Sequence, residues 1–467
     1  MSNRESNDQH VDSLSSLYTF NPKALWRQFK KEHFAFWMVC LYFVIQYFDP
    51  QEIYKRLDFM PWDKVAIGLA FLALPLDPCR RWVRDSTNVW MTLFLVVIYL
   101  SSALAIFPAI SWQHWFAFLD WYVIYFLIIN TVTTPERFFI VLAIFLLANF
   151  KMAIFGARTW IKRGFGFVSW GIEGPPGFFQ NSADLSTEML MFAPIAFELA
   201  MFVKPYVKRV TYWFLMTGSV AGAMTVLGAS SRGAQVTLAG QAGWMAIQRK
   251  LRLKIVLAIA AAVLIGWHFL PAAEKARFMR SGTDQTSVQR LDYWRAGVKM
   301  IEQHPFLGVG FFNFAPLYAL RDPNHLFYDK PQLPHNIFVQ VGTDTGMIGL
   351  FIFLVLIYRN LRLTGEIRRT CARTRDAPGF APNVARGLAL TTWGFVIAGQ
   401  FNTVGYYPFL WINLALTVAL ANIVRQAAAA QAPVRMHRTA LDRSPTFAPG
   451  TLDPGVTPAH TRASTPP

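Results

Sequence analysis

The chain has 467 residues, of which 54% are hydrophobic and only 15% are charged. Soluble globular proteins carry about a quarter charged residues, so this composition argues against a soluble protein and indicates one that crosses a membrane several times. The formal net charge is +17. In a membrane protein such an excess is typical of cytoplasmic loops, which collect Lys and Arg, and we therefore expect no nucleic-acid partner.

The N-terminal segment is polar and lacks the basic, apolar and cleavage regions of a signal peptide. The first span is therefore expected to act as its own insertion signal. A membrane-spanning helix needs about 17–25 predominantly apolar residues, and apolar runs of about this length recur along the chain. The sequence predicts an all-α polytopic membrane protein with about twelve transmembrane helices. The predicted spans are 34–49, 63–77, 88–107, 115–132, 137–155, 186–203, 211–229, 234–247, 255–270, 337–358, 384–402 and 405–424.

The basic loop segments predict how these spans are oriented. Cytoplasmic loops are enriched in Lys and Arg, and the most basic segments all fall on one side of the predicted spans, together with both termini. We therefore predict a cytoplasmic N-terminal segment 1–33, a transmembrane domain 34–424 and a cytoplasmic tail 425–467. The tail is rich in Ala, Pro, Thr and Arg, cannot bury a core, and is expected to be disordered.

Two long segments, 156–185 and 271–335, fall on the other side of the membrane. The second contains a predicted helix from about residue 287 toward residue 304. Its apolar residues recur at helical spacing, which indicates a helix that lies on the bundle or in the interface. This stripe consists of Leu291, Trp294 and Ile301.

Basic residues also occur on this outer side, where they oppose the usual charge bias. A cluster of them indicates an anionic ligand, although solvation of a loop is the simpler interpretation for any one of them. The candidates for binding substrate in this way are Arg158, Lys162, Arg163 and Arg280.

Arg232 lies in the segment "SSRGA", at the junction of two predicted spans. An arginine at this depth is costly and is by default a functional residue. Its small neighbours Ser230, Ser231 and Gly233 are expected to leave space for a ligand and to free the N–H groups of the next helix for an anion.

Arg290 lies one helical turn before Trp294. Trp294 either stacks on the guanidinium or packs in the core. Because arginine offers a planar fork that can hold a diphosphate through two hydrogen bonds, Arg290 and Arg232 together would suit a lipid-linked diphosphate.

His335 follows Pro334 at the mouth of a predicted span. Proline fits the first helical position, so His335 is expected in the first turn. There the helix dipole and the nearby arginines keep imidazole neutral, as a general base for a hydroxyl group requires. From this residue alone, a histidine that caps the helix is equally consistent. Asp344 is nine residues away, on roughly the opposite face, and is expected to be a buried structural residue.

The outer segments contain neither a DxD nor an HExxH pattern, and the chain has no P-loop. Those patterns mark common metal and nucleotide sites. The sequence therefore predicts chemistry without a metal or another cofactor, driven by an activated substrate.

Three segments together resemble the O-antigen ligase and polymerase superfamily of bacterial envelopes. They are "SSRGA", "RLDYWRAGVKMIEQHPFLGVGFFNF" and "PHNIFVQVGTDTGMIGL", and the resemblance covers about residues 170–425. The segment "FFQNSADLSTE" loosely matches the Asn-containing segment of the family, which makes Asn181 and Asp184 site candidates. Many relatives carry Glu where this chain has Asp344.

The resemblance implies a metal-independent, inverting glycosyltransferase of the GT-C type in the inner membrane. Residues 34–424 would be its catalytic domain, and segments 156–185 and 271–335 would be periplasmic loops. The family's members transfer a glycan from undecaprenyl diphosphate to an acceptor. By matching motifs, Arg232 and Arg290 would bind the donor diphosphate and His335 would be the base, with Trp294 near the substrate.

Within the superfamily, one main outer loop and no large soluble domain favour the ligase that joins O-antigen to lipid A-core. Its partners would be the undecaprenyl diphosphate-linked glycan, lipid A-core and membrane lipids. An O-antigen polymerase, or a ligase for proteins or other surface polysaccharides, would use the same donor and stays an alternative. A transporter of polyprenyl-linked glycan is the alternative outside this class. It would be expected to have internal repeats and polar residues on both sides of the membrane midplane.

Overall fold

A computed structural model describes residues 14–166, 171–249, 257, 261, 264, 268, 272–280, 282–323 and 332–431. No strand occurs in this part of the chain, which confirms the predicted all-α class there. The main helices begin with α1 Pro22–Lys31, α2 Phe34–Phe48, α3 Trp62–Ala73, α4 Ser86–Ala103, α5 Pro108–Thr131, α6 Pro135–Lys162, α7 Ser182–Val203 and α8 Arg209–Gly228. They continue with α9 Arg232–Gln248, α10 Ala272–Met279, α11 Gln285–Gln303, α12 Phe314–Arg321, α13 Ile337–Cys371, α14 Ala381–Ala398 and α15 Pro408–Gln431. The short helical pieces are Pro50–Ile53, Lys55–Leu57, Leu74–Leu76 and Gly399–Phe401.

Among the described residues, six helices are long and apolar enough to cross a membrane: α4, α6, α7, α8, α13 and α15. The prediction of a membrane protein with several spans is therefore confirmed. A helix also lies at every other predicted span except 255–270, which lies largely outside the described residues. The count of twelve spans stays a prediction.

The last helix ends later in the chain than the sequence predicted. Helix α15 continues to Gln431, whereas the tail was predicted to begin at residue 425. Residues 425–431 belong to the helix because they continue its Ala-rich sequence, and Ala has the highest helix propensity. The remainder of the predicted tail lies outside the described residues, as do residues 1–13.

Helices α7 and α15 form the centre of the fold. Most of their side chains are buried, including Asp184, Glu188 and Glu198 of α7. Helix α7 packs against α8 and α14, and α15 packs against α5 and α13. Helix α13 also contacts α4 and α14, so it connects the central helices with the outer ones.

A buried ion-pair cluster fixes the start of α6. Arg137 is 1% exposed, and its Nη1 lies 2.6 Å from Oδ2 of Asp77, which is fully buried. Its Nε lies 2.6 Å from Oε2 of Glu32. Since Glu32 follows α1 and Asp77 follows α3, this one guanidinium joins three segments that are distant in sequence.

We expect Arg137→Gln to destabilise the protein strongly, because it leaves Asp77 charged, buried and without its ion-pair partner. Breaking a buried pair on one side costs about 3–5 kcal/mol. The matched control is Arg295→Gln, which breaks a pair with Asp292 in which Arg295 is 73% exposed. An exposed pair contributes about 0–1 kcal/mol. Thermal unfolding of the full chain in detergent would compare the two, and equal shifts in Tm would contradict the structural role of Arg137.

Candidate active site

Helix α11 lies directly on the first turns of α13. The contact is close because Gly297 has no side chain, and a Cβ at this position would overlap the Val339 side chain. The indole Nε1 of Trp294 donates a hydrogen bond to the carbonyl oxygen of Pro334, at 2.9 Å. Trp294 therefore anchors α11 to the residue that precedes His335.

A break in α13 holds the segment that follows α11. Gly346 has φ 66° and ψ −169°, a backbone conformation that glycine adopts without steric cost. In an uninterrupted helix the N–H of Met347 would donate to the carbonyl of Thr343. Here the N–H of Met347 donates to Pro305, at 2.7 Å, and the carbonyl of Thr343 accepts from the N–H of Val309, at 2.8 Å.

The opened turn thus receives the loop, and both halves of the broken helical hydrogen bond find a partner in it. Gly342 and Gly346 form a GxxxG pattern, which in membrane proteins is typical of close contact between helices. The structure shows that they admit the outer segment: a Cβ on Gly342 would approach Ile301 of α11, and one on Gly346 would overlap the backbone of Phe306.

The sequence predicted His335 in the first turn of α13. In the structure His335 lies just before the helix. Asn336 caps the helix, because its side-chain oxygen accepts from the N–H groups of Phe338, at 2.9 Å, and Val339, at 3.2 Å. The helix therefore begins at Ile337. His335 has φ 49°, in the left-handed region where residues other than glycine are uncommon. Such a conformation persists only where the surroundings impose it, and it is frequent at functional sites.

A chain of hydrogen bonds holds the backbone of His335 in this conformation. The N–H of His335 donates to Oγ1 of Thr403, at 2.9 Å. The N–H of Thr403 donates to Oδ1 of Asn402, at 2.8 Å, and Nδ2 of Asn402 donates to Oδ1 of Asp184, at 2.8 Å. Asp184, Asn402 and Thr403 are all buried, so the backbone of His335 is fixed from the interior of the bundle.

The imidazole of His335 is partly buried, with Nε2 3.4 Å from Oε1 of Gln332. Burial lowers the pKa of His335 to about 4, and the positive charge of Arg290 acts in the same direction. Because the imidazole is neutral at pH 7, it can accept a proton there. Arg290 is therefore part of the electrostatic surroundings of His335.

Arg232 begins α9 and forms an ion pair with Asp284, the N-cap of α11. Its Nη2 lies 3.0 Å from Oδ2 of Asp284, with the two side chains 20% and 25% exposed. Nη1 lies 3.3 Å from Oδ1, and Nη2 lies 3.4 Å from Oγ of Ser287. Burial acts to raise the pKa of Asp284, but hydrogen bonds from Ser287 and Thr286 and the charge of Arg232 outweigh it and hold this pKa well below its usual range.

The surroundings of Arg232 connect it with His335. Gly233 packs against the ring of Phe401, where a Cβ would overlap it, so Gly233 does not leave the space for a ligand that its size had suggested. Phe401 directly precedes the Asn402–Thr403 pair that holds His335. The structure therefore brings together His335, Arg290 and Trp294, with Arg232 joined to them through Gly233 and Asp284.

The other sequence candidates are not in contact with His335 among the described interactions. Arg158, Lys162 and Arg280 are exposed, and Arg163 donates from Nη1 to the carbonyl of Gly171, at 2.9 Å. Asn181 serves as the N-cap of α7, because its side-chain oxygen accepts from the N–H of Ala183, at 2.8 Å.

Sequence reasoning missed Asp284, Asn402 and Thr403. Asp284 had a local signal, since Asp is a preferred N-cap residue and here directly precedes the helix "QTSVQRLDYW". Asn402 and Thr403 had none, because their partners are 218 and 68 residues away along the chain.

A comparison with protein families bears on the central part of the chain. No curated protein matches the chain. Residues 217–354 match a family model described as "O-Antigen ligase", a range that runs from α8 into α13 and includes Arg232, Asp284, Arg290 and His335. The resemblance seen in the sequence is therefore confirmed over this range, in which the chain is similar to the O-antigen ligase family.

Proposed function

We propose that this protein is a metal-independent, inverting glycosyltransferase that moves O-antigen polysaccharide from undecaprenyl diphosphate to lipid A-core. The observation that carries the proposal is a His335 whose backbone is fixed by Thr403, within the range that matches the O-antigen ligase family and also contains Arg232 and Arg290. We further propose that the enzyme lies in the inner membrane with this site facing the periplasm and both termini in the cytoplasm. The distribution of basic loops supports that orientation.

In this proposal His335 removes the proton from an acceptor hydroxyl as the oxygen attacks the anomeric carbon of the donor sugar. The bond from that carbon to the diphosphate breaks, so the configuration at this carbon inverts and the diphosphate leaves with the electron pair. Arg290 and Arg232 stabilise its negative charge. Cations fixed in advance by the fold supply such stabilisation without reorganising during the reaction.

The carboxylate of Asp284 occupies the fork of Arg232, where the proposed diphosphate would bind. The donor would therefore displace Asp284 from Arg232. The partly exposed position of both side chains is consistent with such an exchange, since neither is enclosed by the bundle. Asp284 can keep its hydrogen bonds to Thr286 and Ser287, which makes the release of Arg232 less costly.

A deletion strain tests the function directly. If the proposal is correct, envelope lipopolysaccharide from this strain carries no polymer on lipid A-core, while lipid-linked polymer accumulates. Wild-type protein restores the polymer and His335→Gln does not, because removing a general base typically costs about 10²–10⁴-fold in rate. A ladder that collapses to one repeat unit would instead identify a polymerase, and normal polymer with His335→Gln would refute the base.

The pH dependence of transfer tests the electrostatics of His335. The neutral imidazole is the active form, so activity is lost as the pH falls through its pKa of about 4. We expect purified protein to keep most of its transfer rate down to about pH 5. An ordinary histidine, with a pKa near 6.5, would lose half of it by about pH 6.5. An acidic limb centred there would contradict the effect assigned to burial and Arg290.

Asp284→Asn tests the exchange at Arg232. The Asp284 side chain forms no capping hydrogen bond with the backbone of α11, so the helix is expected to keep its start in this variant while the competing negative charge disappears. We expect a lower KM for the lipid-linked donor, by about tenfold if the lost competition is worth about 1.4 kcal/mol. The control, Asp292→Asn, removes a carboxylate from the same helix, where Asp292 pairs with the exposed Arg295. An unchanged or raised KM in Asp284→Asn alone would contradict the exchange.

A further inference from the structure

A surface cavity of about 640 Å³, open to its surroundings, lies far from His335, at the other end of α13. It lies between the last turns of α13 and the first turns of α14. Arg362 is 27 positions after His335 along the chain, which corresponds to roughly 40 Å of helix, so this cavity is separate from the candidate active site. Its basic lining residues are Arg362, Arg368, Arg369 and Arg386.

The positive charge of this cavity is not balanced by the described part of the chain. Arg386 lies 3.2 Å from Oε2 of Glu198, but Glu198 also pairs with Arg249. Arg362, Arg368 and Arg369 form no ion pair with any described residue. Two other arginines of this end of the protein differ: Arg359 and Arg425 each pair with Asp85. A bound anion would supply the missing negative charge.

An exposed apolar stripe leads to the cavity along α13. Phe351, Leu354 and Tyr358 are 58%, 45% and 61% exposed, and their spacing of three and four residues puts them on one face of the helix. The same spacing continues into Leu361 and Arg362, which line the cavity. The exposed apolar stripe therefore ends at a cluster of guanidinium groups.

Helix α14 presents a similar face. Pro382 and Arg386 line the cavity, and Trp393, seven residues after Arg386, is 45% exposed. Since seven residues are about two helical turns, Trp393 lies on the same face as Arg386. Apolar surface on both helices adjoins the basic cavity, and this arrangement matches a molecule with an anionic head and apolar chains better than it matches a free ion.

We propose that this cavity binds the headgroup of an anionic phospholipid, whose acyl chains lie along the exposed faces of α13 and α14. Guanidinium groups bind phosphate oxygens through paired, charge-assisted hydrogen bonds. Basic clusters next to a membrane-spanning helix are suited to anionic headgroups. The lipid would join α13, whose first turn lies beside His335, to α14.

Gly365 offers a way to fill the cavity without changing its charge. It lines the cavity, and a Cβ on it would meet no atom within 4 Å. Gly365→Leu should therefore be tolerated by the helix while its side chain occupies the headgroup space. Gly68→Leu is the matched control, because Gly68 also lies in a helix, in α3, and a Cβ there would likewise meet no atom within 4 Å.

The test uses the full chain in detergent micelles and measures Tm as phosphatidylglycerol, phosphatidylcholine or inorganic phosphate is added. A ligand that binds only the folded state stabilises it, and we expect phosphatidylglycerol to raise Tm by about 2–4 °C, with no comparable rise from the other two. Arg362→Gln/Arg369→Gln should lose at least half of this rise, and Gly365→Leu should lose it too. Gly68→Leu and Arg373→Gln, which changes an exposed arginine outside the lining, should keep it.

Each shift is compared with the same variant without lipid, so a change in basal stability does not affect the result. An equal rise with phosphatidylcholine would overturn the proposal, because it would mean that the charge is irrelevant. A full rise with inorganic phosphate alone would replace the lipid with a free anion. A full rise in both the double arginine variant and Gly365→Leu would place the binding elsewhere.

Discussion

The contact between α11 and the opened turn of α13 is the interaction on which the candidate site depends. Helix α13 gives up one internal hydrogen bond at Gly346, and the loop after α11 satisfies both groups that are set free. In a membrane, an unsatisfied backbone group costs several kcal/mol, so the opened turn and the loop stabilise each other only when they are together. Once the loop is held there, Gly297 and Trp294 fix α11 over the start of α13, and the positive charge of Arg290 acts on His335.

The candidate base is held from two directions. From the outer side, Trp294 binds the carbonyl of Pro334. From the interior, the Asp184–Asn402–Thr403 chain binds the N–H of His335. The side chain of His335 is therefore presented by a backbone with little freedom to move. This matters for a base because proton transfer requires a heavy-atom distance of about 2.6–3.2 Å to the reacting hydroxyl.

The arginines at the two ends of α13 differ in whether a carboxylate neutralises them. At the His335 end, Arg232 is neutralised by Asp284, and both side chains are partly exposed. At the Cys371 end, arginines surround a cavity with too few carboxylates nearby. In both places arginine is suited to phosphate because its guanidinium is planar and always charged. The exposed apolar stripe of Phe351, Leu354 and Tyr358 leads to the cavity. One phosphate would thus belong to a reacting substrate and the other to the surrounding bilayer.

The sequence by itself predicted the all-α class, most of the helices and the short segments in which Arg232, Arg290 and His335 lie. Hydrophobic runs and basic loops are local properties, and they predict spans because the bilayer imposes its thickness on each helix separately. The motif around Arg232, Arg290 and His335 was likewise visible in short segments. Only the tertiary structure decided that Asn336 caps α13 and leaves His335 outside the helix, because the local pattern of Pro334 fitted either start. It also decided that Arg232 pairs with Asp284 and that Thr403 holds His335, since these partners are 52 and 68 residues apart and no local pattern encodes which distant residues will meet.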